Sequence, residues 1–214
     1  MTTSTVDQSI LDFDSIDVKI ESNVGSNQLV CDESPYVLSL RQSELADSKI
    51  YNKFVRACKR IVRGSPEYRQ WTEYLRDVLG FYSCSLTHEL NSQTTIEIHH
   101  HPIPMEVIIK GIVNKQIEKS KEFCSFDISM LAIEAHYKNK VGYIPLVSTL
   151  HEKFHNGYLN IPIELVAGNY KKFISEYGSY LEDDDLELIE SRTSITKESC
   201  GWGESYKWVK NAID

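Results

Sequence analysis

Two short windows constrain the folding of this sequence more than any other part of it: Ile96-Glu97-Ile98-His99-His100-His101-Pro102 and His151-Glu152-Lys153-Phe154-His155. The chain has 7 histidines, and only His88 and His136 lie outside these windows. Residues Thr94 to His100 alternate branched apolar and polar side chains, the period of a β-strand, and Pro102 ends the run. On such a strand His99 and His101 share one face, while His100 takes the other with Ile96 and Ile98. His151 and His155 are four apart, so on a helix they lie on one face and can share a metal ion. A strand that stays regular to Pro102 offers His99 and His101 as further ligands. One that twists out early offers His99 and His100. The sequence leaves both open. An imidazole not bound to metal titrates near neutrality and suits a general base. The ion itself would supply Lewis-acid charge.

The flanking sequence reads mostly as helix. Ile50, Phe54, Ala57 and Ile61 recur at helical spacing over residues 43–63, with Ser43 as cap and Gly64 as stop. Ser65-Pro66 opens a second helix, carrying Tyr68, Trp71, Leu75 and Leu79 and ending at Gly80. Residues 81–86 predict a short strand, paired with 94–100 in an antiparallel hairpin. Met105 to Ile117 shows a helical stripe interrupted only by Gly111. Phe126 to Lys138 predicts another helix, in which a lone His136 reads as structural. Asn139-Lys140-Val141-Gly142 breaks it, Tyr143 to Leu146 is extended, and Ser148 or Thr149 caps the helix bearing His151 and His155. A further helix is expected from Asn169 to Tyr177. An acidic run follows at 182–185, and tail aromatics (Tyr206, Trp208) suit a terminal helix.

Composition narrows the classes. With 214 residues, 41% of them hydrophobic, the chain can bury one proper core. No apolar run is long enough for a bilayer span, and the N-terminus lacks the pattern of a secretory signal. The 5 cysteines are odd in number and form no C-x-x-C pair, which points away from a disulfide framework and toward a reducing cytoplasm. The net charge of -8 is unevenly spread. Residues 1–34 hold one Lys against seven acidic residues, and 182–214 hold four basic against nine acidic. The stretch between is mildly basic. Lys53, Arg56, Lys59, Arg60 and Arg63 crowd one helix and are candidate phosphate contacts for DNA. The acidic first 34 residues read as a flexible arm that can order on a protein partner.

Ile98-His99-His100, Gly142-Tyr143-Ile144-Pro145-Leu146 and Leu150-His151-x-x-x-His155-Asn156-Gly157 together resemble the His-Asn-His (HNH) endonuclease motif, in the form found in tailed bacteriophages. The resemblance covers roughly residues 81–157. It implies an α+β protein with a ββα-metal core, interrupted here by a helical insertion. The implied organisation is an arm (1–34), a helical region (35–80), the nuclease core (81–160) and a helical extension (161–214). It also implies His100 as the base that activates water, with His99, His151 and His155 as metal ligands; strand alternation keeps His101 as an alternative ligand. The ion expected from the resemblance is Mg²⁺, with Mn²⁺ or Zn²⁺ as alternatives. The implied activity is metal-dependent hydrolysis of DNA phosphodiester bonds, in the host cytoplasm. Gly142 stands where the family has its central asparagine, so Asn139 becomes the candidate loop brace. Two rivals follow. One is a DNA-binding or virion structural protein that keeps the fold without activity. The other is a zinc metalloprotease, because His151-Glu152-x-x-His155 fits H-E-x-x-H, with Glu152 as base.

Overall fold

The computed structural model describes residues 44–88, 94–119 and 122–200, all within one compact unit, Cys31–Asp214. The acidic arm and the tail aromatics lie outside the described residues. Asp47 starts the first helix, α1 (Ser48–Gly64), by accepting the backbone N–H groups of Lys49 and Ile50 at 2.7 and 3.3 Å. That cap sets the start later than the expected residue 43, and Glu44–Ala46 form a 3-10 turn instead. Ser65 accepts the Tyr68 N–H at 3.0 Å and opens α2 (Pro66–Asp77), with Pro66 at its first position.

Helices α3 (Met105–Glu118) and α4 (Ser125–Tyr137) complete a helical layer. Phe54, Val62, Leu75, Ile108, Ile112, Ile128 and Ala132 are fully buried where α1 to α4 meet. Each large apolar side chain buried there contributes roughly 1.5–3 kcal/mol before entropy is counted. Gly111 interrupts the α3 stripe for a packing reason. A Cβ there would lie 3.0 Å from Leu181 and 3.3 Å from Phe173 of α6 (Tyr170–Tyr177).

The sheet has three antiparallel strands in the order β1-β2-β3: β1 (Ile96–His100), β2 (Gly142–Val147) and β3 (Ala167–Gly168). The strand partner therefore differs from the expected hairpin. β1 pairs with β2, Ile98 opposite Pro145 and His100 opposite Tyr143. Residues 81–88 are mostly turn, and touch the sheet where the Ser85 N–H donates to the Pro145 carbonyl at 2.9 Å. Pro145 is tolerated because β3 pairs only with Gly142 and Tyr143, so at Pro145 that side of β2 is an edge where the missing N–H removes no ladder bond, and its carbonyl finds Ser85. Helix α5 (Ser148–His155) follows β2 directly, while α3 and α4 form the insertion between β1 and β2. Leu150 is buried and Phe154 half-buried against Ile144 and Leu146, which seats α5 on the sheet.

The acidic run begins a helix, α7 (Asp183–Thr193), where three acids in the first turn complement the helix dipole. Asp185 is buried and accepts from Lys110 at 3.1 and 3.3 Å. The architecture is thus α+β. Among the described residues no helix is long and apolar enough to cross a membrane.

Candidate metal centre

β1 and α5 bring distant imidazoles together. His99, His151 and His155 each offer a ligand nitrogen, all within 4.8 Å of one another. Strand alternation turns His99 toward α5, and helical spacing turns His151 and His155 toward His99. Ring centroids stand 4.7 Å apart for His99 and His151, 5.2 Å for His99 and His155, and 4.6 Å for His151 and His155. The Nε2 atoms of His151 and His155 are 3.0 Å apart. Two nitrogens on one tetrahedral cation sit about 3.3 Å apart, so little movement is needed.

The residues fit a cation on two further counts. His99 Nε2 is buried with no protein partner, a costly state that a ligand would relieve. Burial, then the neighbouring His151, His101 and His155, holds the His99 imidazole neutral, its pKa down at about 2. The His155 imidazole is pushed down by burial, then by His151, Arg192, Arg63 and Lys59. Neutral imidazole is the ligating form. Three nitrogen donors suit Zn²⁺, Co²⁺ or Ni²⁺, whereas Mg²⁺ prefers oxygen.

His101 shares the His99 face as the regular strand requires, with ring centroids 6.2 Å apart. It is not among the three grouped nitrogens. It is fully buried beside Phe154, and neither of its ring nitrogens has a protein partner.

His100 is not brought to the triad. It faces the helical layer, 6% exposed, against Tyr68, Trp71 and His136. His136 Nδ1–H donates to the Ala132 carbonyl at 2.6 Å, since a carbonyl can only accept. Its Nε2 is then the acceptor, and His100 Nε2–H donates to it at 2.8 Å. Burial, then the facing His136, pushes the His100 imidazole well below its ordinary value. A general base must reach a water beside the reacting atom. The position expected for His100 is corrected to the opposite side of the strand, where helices α2 and α4 close over it. His136, read as structural, is buried and hydrogen-bonded.

Asn139 is exposed with a φ of 52°, terminating α4 in the left-handed conformation. Gly142, at the place of the motif asparagine, has a backbone reason. A Cβ there would lie 2.2 Å from the His101 carbonyl oxygen, and its own carbonyl accepts the His101 N–H at 3.1 Å. Any larger residue would push the strands apart beside the site.

The basic residues form a surface. Lys53, Arg56, Arg60 and Arg63 are exposed and Lys59 half-buried. Arg56, Lys59, Arg60 and Arg63 line an open hollow with Gly64 at the end of α1. Lys59 lies 3.6 Å from Glu106.

Glu97 stands beside the triad and is not among the residues expected from the sequence. Its Oε2 accepts the Nδ1–H of His151. The strand period carried the signal, because Glu97 precedes His99 by two residues and so shares its face. Comparison with curated proteins and with solved structures returns no significant match. A family model matches residues 1–207, nearly the whole chain, and this chain belongs to that family: the bacteriophage G278-like virion proteins.

Proposed function

We propose that this phage protein is a virion component that holds one Zn²⁺-class cation on His99, His151 and His155 and binds DNA backbone along α1, without His100 cutting it. The observation that carries this reading is the place of His100, buried against His136 on the face of β1 away from the triad. When bound, the cation supplies Lewis-acid charge that can hold a phosphate oxygen. Lys53, Arg56, Arg60 and Arg63 present cations at successive turns of one helix, a spacing that suits phosphate contacts.

The test is a gel-shift and plasmid assay with Zn²⁺, Mn²⁺, Mg²⁺ or EDTA. The expected outcome is DNA binding that weakens with salt, while supercoiled plasmid stays intact. Mass spectrometry of purified particles should find the protein in the virion.

A second reading is the HNH endonuclease. The order β1, β2, α5, with a strand imidazole facing a helical i, i+4 pair, favours it. It requires His100 to leave its aromatic surroundings or another group to act as base. Metal-dependent nicking that disappears in H100N would return the protein to that reading. Nicking that survives H100N but not H99A would keep the nuclease and move the base. Glu152 is exposed on α5. A proteolytic activity abolished by E152Q would instead support the metalloprotease.

A further inference from the structure

We propose that Glu97 is the positioning residue of this centre: by accepting the Nδ1–H of His151 across the junction of β1 and α5, it fixes the tautomer that aims the His151 Nε2 lone pair at the cation. The inference rests on the reading of His99, His151 and His155 as ligands.

Glu97 and His99 are two apart on β1, so both side chains leave the sheet toward α5. Opposite them on β2 stand Leu146 and Ile144, which seat α5 through Leu150 and Phe154. The same packing puts His151 against Glu97. An ionised carboxylate only accepts hydrogen bonds, so the ring nitrogen facing it must carry the proton. The other nitrogen of a neutral ring is then a lone pair, and it is this Nε2 that stands 3.0 Å from Nε2 of His155. Without metal, His155 Nε2–H donates across that gap. A cation there would require His155 to take the Nδ1–H tautomer, one proton leaving Nε2 as another reaches Nδ1 through water, whereas no change would be asked of His151. Glu97 therefore holds one ligand ready before the ion arrives. A carboxylate behind a ligating imidazole also raises its basicity, and loss of such a partner typically weakens metal binding 10–100-fold.

The bland alternative is a partly exposed ion pair that merely helps fasten helix to strand, since the side chains are 24% and 42% exposed for His151 and Glu97. Such pairs contribute little to stability. The two roles separate by experiment on the full chain. Imidazole ¹H–¹⁵N correlation spectra of the metal-free protein report the His151 tautomer, and Zn²⁺ titration calorimetry reports affinity. Wild type should show the Nδ1–H form. E97A should shift His151 toward the Nε2–H form and bind Zn²⁺ 10–100-fold more weakly. E97Q, whose amide oxygen still accepts from Nδ1, should keep the tautomer and recover part of the affinity. If E97A does not fold, the E97Q tautomer and affinity still decide. Unchanged tautomer and affinity in a folded E97A would overturn the role of Glu97 and leave the metal centre standing. Failure of wild type to bind Zn²⁺ would overturn the centre and this inference with it.

Discussion

His100 and His136 meet nitrogen to nitrogen in a nest of Tyr68 and Trp71, and both must stay neutral there. Burial pushes His136 down to about 4 from an ordinary 6.5. Between those values the unfolded chain binds protons that the folded chain refuses, so stability is full above pH 6.5 and falls as the pH drops toward 4. Each unit of such a shift corresponds to about 1.4 kcal/mol. Urea unfolding at pH 7.5, 6 and 5 should show a midpoint that declines with acid, and replacing His136 by Gln should flatten the decline. The ligands behave differently from this pair. Changing His99, His151 or His155 to Ala should remove most Zn²⁺ binding in calorimetry, because two imidazoles cannot fill three positions. At Gly142 the constraint is steric. G142A must displace the His101 carbonyl, and the expected cost is about 2 kcal/mol or more in chemical denaturation.

At the scale of the element, α1 carries its charge on one side and its packing on the other. Phe54, Ala57, Cys58 and Val62 are buried, while Lys53, Arg56, Arg60 and Arg63 remain on the surface. Replacing Arg56, Arg60 and Arg63 by Gln should leave the fold intact and weaken DNA binding at every sequence tested. If all three contact phosphates, the dependence of log K on log salt should lose about 0.9 per residue removed. Helix α7 shows what a charge run can conceal. Its acidic opening is only a charge run in the sequence, but Asp185 turns inward to Lys110 on α3. Lys110 keeps a second carboxylate, Glu182 at 3.9 Å, so D185A should destabilise by roughly 1–3 kcal/mol, readable in thermal unfolding. The helix caps at Asp47 and Ser65, by contrast, are local bonds between neighbours in the chain. Ser65-Pro66 is therefore legible as a helix start, whereas Asp47, which accepts two such bonds, starts α1 within the stretch expected to be helical; Ser43 itself lies outside the described residues.

Over the whole molecule, a cation on His99, His151 and His155 would tie β1 to α5 across the long insertion of α3 and α4. Ligand that binds only the folded state stabilises it by mass action, about 2.7 kcal/mol at a hundred times Kd. Adding Zn²⁺ should raise the thermal midpoint of wild type and leave that of H99A unmoved, with EDTA reversing the rise. What the sequence determined alone is the direction of each side chain within its own element. Alternation put His99 and His101 on one side of a strand and His100 on the other, and i, i+4 spacing put His151 beside His155. Only the tertiary structure decided what covers each side. β1 pairs with β2 rather than with residues 81–86, α5 closes on the His99 face, and α2 and α4 close on the His100 face. The reason is physical: dihedral preference and periodicity act between residues a few positions apart. Burial and the choice of strand partner depend on contacts between segments that the sequence holds tens of residues apart.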